Sequence, residues 1–459
     1  MNWIPTLNRD KAPLYLALAD AMQRDIDCGA LKPGDRLPPH RELAFQLKLG
    51  VGTITKAYEE AERRNLIEAH VGRGSYVTDR SRRSANLQDS EIDLSINVPP
   101  AAPANAELSA TFRTFGKRGF DADAFIYAPP IGTETARKAG VLWMQLAGRV
   151  AEADWRATAC TIGAQQALAV AFGIAFEKSD LILCEAATYW GARAAAEHLG
   201  GRLYGVALDR EGLCPAALEK AIAETRARAL FCTPTIQNPT ARTMSMARRS
   251  EIAEIAKRHD LLVIEDDVYG HFAADLALEP LVNFIPERTI YITSLSKSVM
   301  PGLRSGFMQV PDRQMLDKAI LAMRATTFSA AGIANRIATE WISDGRAITI
   351  AEKVRAEMAL RLAVALEELN GVAEIPSPAS TLHLWLQFNH LQIDDIMRQS
   401  HELGIRVADP SLQRASEDAP CGIRLSLGAP CSSDELQKGL SKLKQAIIRP
   451  SRDNNRVVV

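Results

Sequence analysis

The spacing of apolar positions changes character twice along this chain. Between residues 12 and 28, Leu14, Leu18, Met22 and Ile26 recur at every fourth position, the period of an amphipathic helix. Cys28-Gly29 closes that helix and Leu31-Lys32-Pro33-Gly34 makes a turn. A second helix is expected after Pro38-Pro39, with Leu43, Ala44 and Leu47 inward, and a third from about Thr53 to Arg64. Leu66 to Val77 then reads as two short strands around a Gly72-Arg73-Gly74 turn. Helix, helix-turn-helix and hairpin in that order make a winged helix. Asp79 to Glu91 is polar and aperiodic, a short linker. From Ile92 onward the pattern differs. Short, continuously apolar runs (Leu181–Cys184, Ala229–Cys232, Leu261–Ile264, Ile290–Thr293) alternate with Ala-rich helical stretches. Runs of that kind suit strands covered on both faces, so an α/β domain with a mainly parallel sheet is expected.

Length supports this division, since 459 residues exceed one ordinary domain. The expected boundaries are 1–78 for the winged helix, 79–91 for the linker and 92–447 for the α/β domain. With 47% apolar residues the chain can build a large core, which excludes global disorder. The net charge of −1 says nothing about partners, but residues 1–83 hold 14 Lys+Arg against 11 Asp+Glu. That mild excess is compatible with a nucleic-acid partner. Seven cysteines are scattered without a C-x-x-C pair, which argues against a zinc site or a disulfide framework. No leader and no bilayer-length apolar run is visible, so a cytoplasmic protein with no membrane partner is expected.

Candidate chemistry gathers where the apolar runs end. Ligands of open α/β sheets collect beyond the carboxyl ends of strands. Leu181–Cys184 leads to Thr188-Tyr189, and Ala229–Cys232 to Gln237-Asn238-Pro239-Thr240. Leu261–Ile264 leads to Glu265-Asp266-Asp267-Val268-Tyr269, and Ile290–Thr293 to Ser294 and Lys297, with Arg304 one loop later. An amine able to form a Schiff base beside anion-binding groups is what pyridoxal phosphate requires. His198, His259, His271 and His383 lack ligand-like spacing and are read as structural.

On these motifs, residues 92–447 resemble the fold-type I, class I aminotransferases. The resemblance implies a large domain with a smaller C-terminal α+β subdomain, and pyridoxal phosphate as cofactor. It implies that Lys297 forms the Schiff base, that Asp266 pairs with the pyridine nitrogen, and that Tyr269 and Asn238 bond the ring oxygen. Tyr189 would stack on the ring. Ser294, Arg304 and the helix start Gly163-Ala164-Gln165 would hold the phosphate, together with Tyr127 of the partner subunit. Arg424, in Gly-Ile-Arg-Leu-Ser-Leu, would take a substrate carboxylate. Asn97 stands near the substrate where glycine is usual, and Ile162 and Ala241 are further departures. They leave the cofactor contacts intact and speak against efficient turnover of a standard amino acid.

The N-terminal residues resemble the GntR-type winged helix, through Leu31 to Pro38, Arg41-Glu42-Leu43-Ala44, Thr53 to Tyr58 and Gly72-Arg73-Gly74. By that resemblance Arg41, Thr53, Thr55, Lys56 and Arg73 contact promoter DNA, while Val51 stands where many relatives carry arginine. The two parts together resemble the MocR group of bacterial transcriptional regulators. The implied protein is a homodimeric regulator that senses an amino compound by aldimine exchange at Lys297. It would control genes for the metabolism or transport of such compounds. A working aminotransferase is the alternative.

Overall fold

The computed structural model describes residues 3–6, 13–27, 30–32, 34–64, 66–70, 74–78, 91–119, 122–177, 179–376 and 381–449. Arg73, Cys28, Gly29 and nearly all of the expected linker lie outside the described residues. The chain divides into two compact units, residues 1–90 and 91–459.

In the first unit, α1 (Leu14–Asp27), α2 (His40–Leu47) and α3 (Val51–Arg63) precede an antiparallel pair, β1 (Ile67–His70) and β2 (Gly74–Val77). Leu18, Met22, Leu43, Ile54, Tyr58 and Val77 close one core, so the fourfold apolar spacing does face inward. α3 starts two residues before the expected Thr53, because extended Gly50 already turns the chain and Thr53 N donates to its carbonyl at 2.9 Å. The helix-to-helix turn carries one strained residue. Lys48 closes α2 at φ 54°, ψ 45°, in the left-handed region where a Cβ crowds the carbonyl. It is exposed, so Lys48→Gly should stabilise this unit by about 0.5–1 kcal/mol, the relief of strain exceeding the extra backbone entropy of glycine. Calorimetry of the full chain should show the transition of the N-terminal unit move upward.

The second unit is built on seven strands: β3 (Thr158–Ile162), β4 (Leu181–Glu185), β5 (Arg202–Val206), β6 (Ala229–Cys232), β7 (Leu262–Asp266), β8 (Thr289–Ser294) and β9 (Ser305–Gln309). Their spatial order is β3-β9-β8-β7-β6-β4-β5, and β9 alone runs against the others. The sheet is therefore mixed but mainly parallel. Helix α4 (Gly163–Phe176) packs under its centre, with Phe172 and Phe231 edge to face at 5.6 Å. Burying one such ring contributes roughly 2–3 kcal/mol. On the other face Leu183, Leu230 and Val263 meet Ile252 and Ala256 of the helix Met246–Arg258. Two helical covers explain why these strands are apolar throughout rather than alternating.

A smaller α+β part follows, in which β10 (His383–Gln387) and β11 (Gly422–Ser426) pair antiparallel among the helices Arg346–Leu369, His390–Glu402 and Ser433–Ile448. The two-residue strand Ile92–Asp93 adds to it by pairing parallel with Ile405–Arg406. That crossing brings residues 94–98 from the start of the unit against its C-terminal strands. Among the described residues the cysteines are all free, no acidic or His/Cys cluster could hold a metal, and no helix is long and apolar enough to cross a membrane.

Candidate functional site

The strand ends converge as the topology requires. β7 runs two residues beyond its apolar segment, so Glu265 and Asp266 are strand residues rather than loop residues. Lys297 follows β8, Asn238 follows β6 and Tyr189 follows β4. With Asp266, Tyr269 and Ser294 they surround one cavity, closed at its far end by Ala164, Gln165 and Arg304.

The Lys297 amine donates to the main-chain oxygen of Asn97 at 2.7 Å. Burial, with the cations of Arg424 and Arg304 adding to it and Asp266 opposing, pulls it down to about 8. At pH 7 the free-amine fraction is then roughly 300-fold above that of an ordinary lysine. The rate at which the apoprotein takes up an aldehyde at Lys297 should accordingly rise through a midpoint near pH 8 and plateau above it. A stopped-flow pH profile with pyridoxal phosphate checks this, and a midpoint above pH 10 would contradict it.

Asp266 is pushed up to about 7, chiefly by burial, although Val268 N–H donates to its Oδ1 at 3.3 Å. Such a carboxyl is stabilised by a positive partner, and the charge of Lys297 acts on it in that sense. Behind it Glu185 is raised by burial to about 8 and accepts from Thr233 N at 3.0 Å.

At the opposite end α4 starts without a side-chain cap, its first N–H groups having no partner within the helix. Gly163 has φ +70°, and a Cβ there would lie 2.8 Å from Arg304 Nη2. Only glycine lets the guanidinium approach this closely. Ser296 Oγ is buried with no hydrogen-bond partner. Arg304 Nη2 donates to Ile162 O at 3.2 Å, which fixes the guanidinium beside the helix start, and its remaining N–H groups with Ser296 Oγ and the helix start suit an anion. The Gln165 side chain donates to Gly191 O at 2.8 Å, fixing the helix start beside Tyr189.

Arg424 stands on β11, only 5% exposed. Its Nη1 donates to Asn238 Oδ1 at 2.9 Å and its Nη2 to Ser95 O at 2.7 Å, while Nε is unpartnered. Among the described residues no carboxylate pairs with it. A buried guanidinium without a counter-ion is held in readiness for an anion.

One sequence expectation shifts. His383, read as structural, sits inside the site: its Nδ1 lies 3.0 Å from Asn97 Nδ2, its Nε2 3.2 Å from Gln237 O, and its ring edge-on to Tyr269. Burial pushes it down to about 3, so it is neutral. A polar residue in the apolar run Leu382 to Leu386 is the signal that sequence offers for it. Tyr127 does not reach the cavity of its own chain. It is 81% exposed, beside exposed Phe125 and Ile126, and packs edge-on against Phe328.

On the first unit Arg41 and Lys56 are exposed, and Arg41 has no ion-pair partner among the described residues. Thr53 and Thr55 are half-buried, and Thr55 Oγ1 already meets His40 Nδ1 at 3.2 Å. His40 stacks edge-on against Tyr58, whose hydroxyl donates to Pro38 O, so Thr55 also ties α2 to α3.

Residues 14–77 match the family described as bacterial regulatory proteins, gntR family, and residues 89–443 match aminotransferase class I and II. The chain is 27% identical over 452 residues to the uncharacterized HTH-type transcriptional regulator YdeF of Bacillus subtilis, covering 97% of each. It is 24% identical over 477 residues to the similarly named YjiR of Escherichia coli, covering 95% of this chain and 99% of that one. The kynurenine aminotransferase of Pyrococcus horikoshii shares the fold with a TM-score of 0.71 at 21% identity, over 81% of this chain and 94% of the other. The cofactor of this fold and family is pyridoxal phosphate, and the site fits it. The uncapped helix start with Arg304 suits a phosphate, and buried Asp266 suits a protonated ring nitrogen. The chain therefore belongs to the class I and II aminotransferase family and carries ahead of that domain a GntR-family DNA-binding domain, the combination of the MocR-type transcriptional regulators.

Proposed function

We propose that this regulator senses an amino compound bearing an acid group by amine exchange at Lys297, and that occupancy alters how paired winged helices hold promoter DNA. The buried guanidinium of Arg424 carries this reading, because no carboxylate among the described residues pairs with it. When bound, pyridoxal phosphate supplies an aldehyde carbon that bonds reversibly to amines. Ser294, Arg304 and the α4 start would hold its phosphate, Asp266 its ring nitrogen, Asn238 and Tyr269 its ring oxygen, and Tyr189 its face. Lys297, held down to about 8 by burial, offers at neutral pH a proton-free fraction far above that of an ordinary lysine. Arg424 orients the ligand's acid group.

The working protein would be a cytoplasmic homodimer, with Tyr127 of the partner subunit completing the phosphate site. The exposed Phe125, Ile126 and Phe328 around it suit such a contact. Residues 1–78 would read DNA through Arg41, Thr53, Thr55, Lys56 and Arg73. Residues 79–91 would link to the sensing domain, 92–447. The controlled genes would serve transport or metabolism of the sensed compound. A ligand shifts such an equilibrium only by its differential affinity for the two states.

The test titrates purified protein with a panel of amines, following visible absorption and the anisotropy of its labelled upstream DNA together. The expected result is one amine class that changes both. Repeated turnover of several amino acids with a keto acid acceptor, with DNA binding indifferent to all of them, would make the protein an aminotransferase instead.

A further inference from the structure

His383 lies fully buried on β10, opposite Ser426 of β11, and touches two groups whose hydrogen-bonding character can be worked out. Its Nε2 faces the main-chain carbonyl of Gln237 at 3.2 Å. A carbonyl can only accept, so the ring proton sits on Nε2. That carbonyl is itself held in place: Gln237 Nε2 donates to Ala187 O at 2.7 Å, and its Oε1 accepts from Thr240 N at 2.9 Å and Thr240 Oγ1 at 2.6 Å. The ring is neutral, for burial and the neighbouring Arg424 cation both oppose a second proton. A neutral imidazole with its proton on Nε2 leaves Nδ1 bare, an acceptor. The Asn97 atom 3.0 Å away must then be the amide nitrogen. The second hydrogen of the same nitrogen goes to Tyr269 Oη at 2.8 Å.

The direction matters for Tyr269. Were the amide reversed, Asn97 Oδ1 would accept the tyrosine's proton and occupy it. In the observed direction Tyr269 accepts from Asn97, and among the described residues nothing accepts the tyrosine's own proton. Asn97 Oδ1 is correspondingly left buried without a partner, a cost that a freely turning amide would avoid. We infer that His383 is a positioning residue which, by presenting a bare Nδ1 to Asn97, keeps the Tyr269 hydroxyl free to donate into the ligand cavity. Asn97 also receives Lys297 Nζ on its main-chain oxygen, so the same residue joins this chain to the reactive amine.

The inference deepens the proposed function and rests on it, since the acceptor of the Tyr269 proton would be the ring oxygen of pyridoxal phosphate. The charged and titratable groups facing the chain are Lys297, Arg424, Asp266 and Tyr189. The first measurement needs no cofactor. Selective 15N-histidine NMR of the apoprotein should show one buried ring, absent from His383→Gln, neutral with its proton on Nε2 between pH 5 and 8. The second measures the pH midpoint of the visible spectrum of the loaded protein. A hydrogen bond donated to an ionised oxygen favours that ionised form. His383→Leu, which releases Asn97, should raise the midpoint by about one pH unit. His383→Gln, able to accept from Asn97 and donate to Gln237, should restore most of it. A proton on Nδ1, or equal midpoints in wild type, Leu and Gln proteins, would overturn the inference. Should His383→Leu not fold, the NMR tautomer and the Gln variant decide alone. Wild-type protein without any visible absorption would instead overturn the proposed cofactor site, and the apoprotein tautomer would then decide the role of His383 by itself.

Discussion

A Lys297→Ala protein is expected to fold, bind its DNA with wild-type affinity and lose all response to amines. The amine is the one group in the cavity able to bond covalently to an aldehyde, and its replacement leaves the uncapped α4 start, Arg304 and Asp266 in place. The cofactor can still dock through its phosphate, but without the absorption that the Lys297 linkage produces. Stability should barely change, for two terms of similar size oppose. Lys297 has a depressed folded value, about 8 against 10.5, so its protonated form is disfavoured in the fold. Stability is lost as pH falls from 10.5 toward 8 and stays lost below, a burden of about 3 kcal/mol at neutral pH. Removing the side chain lifts that burden and forfeits about 2.4 kcal/mol of packing from three buried methylenes. Spectral titration and DNA anisotropy, with and without amine, check the prediction. An undiminished amine-dependent shift in DNA affinity would show that sensing does not pass through this residue.

The second large effect is expected from Arg424→Leu. Affinity for an acid-bearing amine should fall by roughly 10²–10³-fold, as for other buried charge-assisted pairs that lose one partner. Affinity for the corresponding amine without the acid group should fall far less. The pair of ligands separates loss of the anion site from general damage. Thermal stability should hold or rise, because the variant removes a buried cation that no carboxylate among the described residues compensates. Lysine would be a poor substitute. The guanidinium uses separate nitrogens for Ser95 O and Asn238 Oδ1 and still offers a further N–H, a fork that a single ammonium cannot reproduce. Equal losses for both ligands would remove Arg424 from acid recognition.

The site is legible in sequence where its groups follow apolar runs, since a strand buried on both faces announces its own end. Lys297 after β8 and Asn238 after β6 can be read that way. Asp266 lies beyond a run that stops one residue before Glu265, although the strand carrying it continues. The reason is that β7 is enclosed on both sides, and its last two residues are buried carboxylates satisfied by main-chain N–H groups, Glu265 by Leu281 and Val282 and Asp266 by Val268. His383 escapes such reading because spacing tests for metal or triad ligands ask about neighbours in sequence. Its partners lie 146 and 286 residues away. Tyr127 illustrates the converse: a motif can mark a group whose surroundings one chain does not contain.

Local chemistry along the chain was enough to specify the winged helix, the α/β class, the amine and the anion-binding strand ends. Periodicity, turn residues and short motifs act over a few residues, and each of these features is local. Folding in three dimensions alone determined which way Asn97 faces, that Arg424 has no counter-ion among the described residues, and that a histidine on β10 meets a tyrosine after β7. Those properties depend on burial and on contacts across the chain, such as the pairing of Ile92–Asp93 with Ile405–Arg406, which no window of sequence contains.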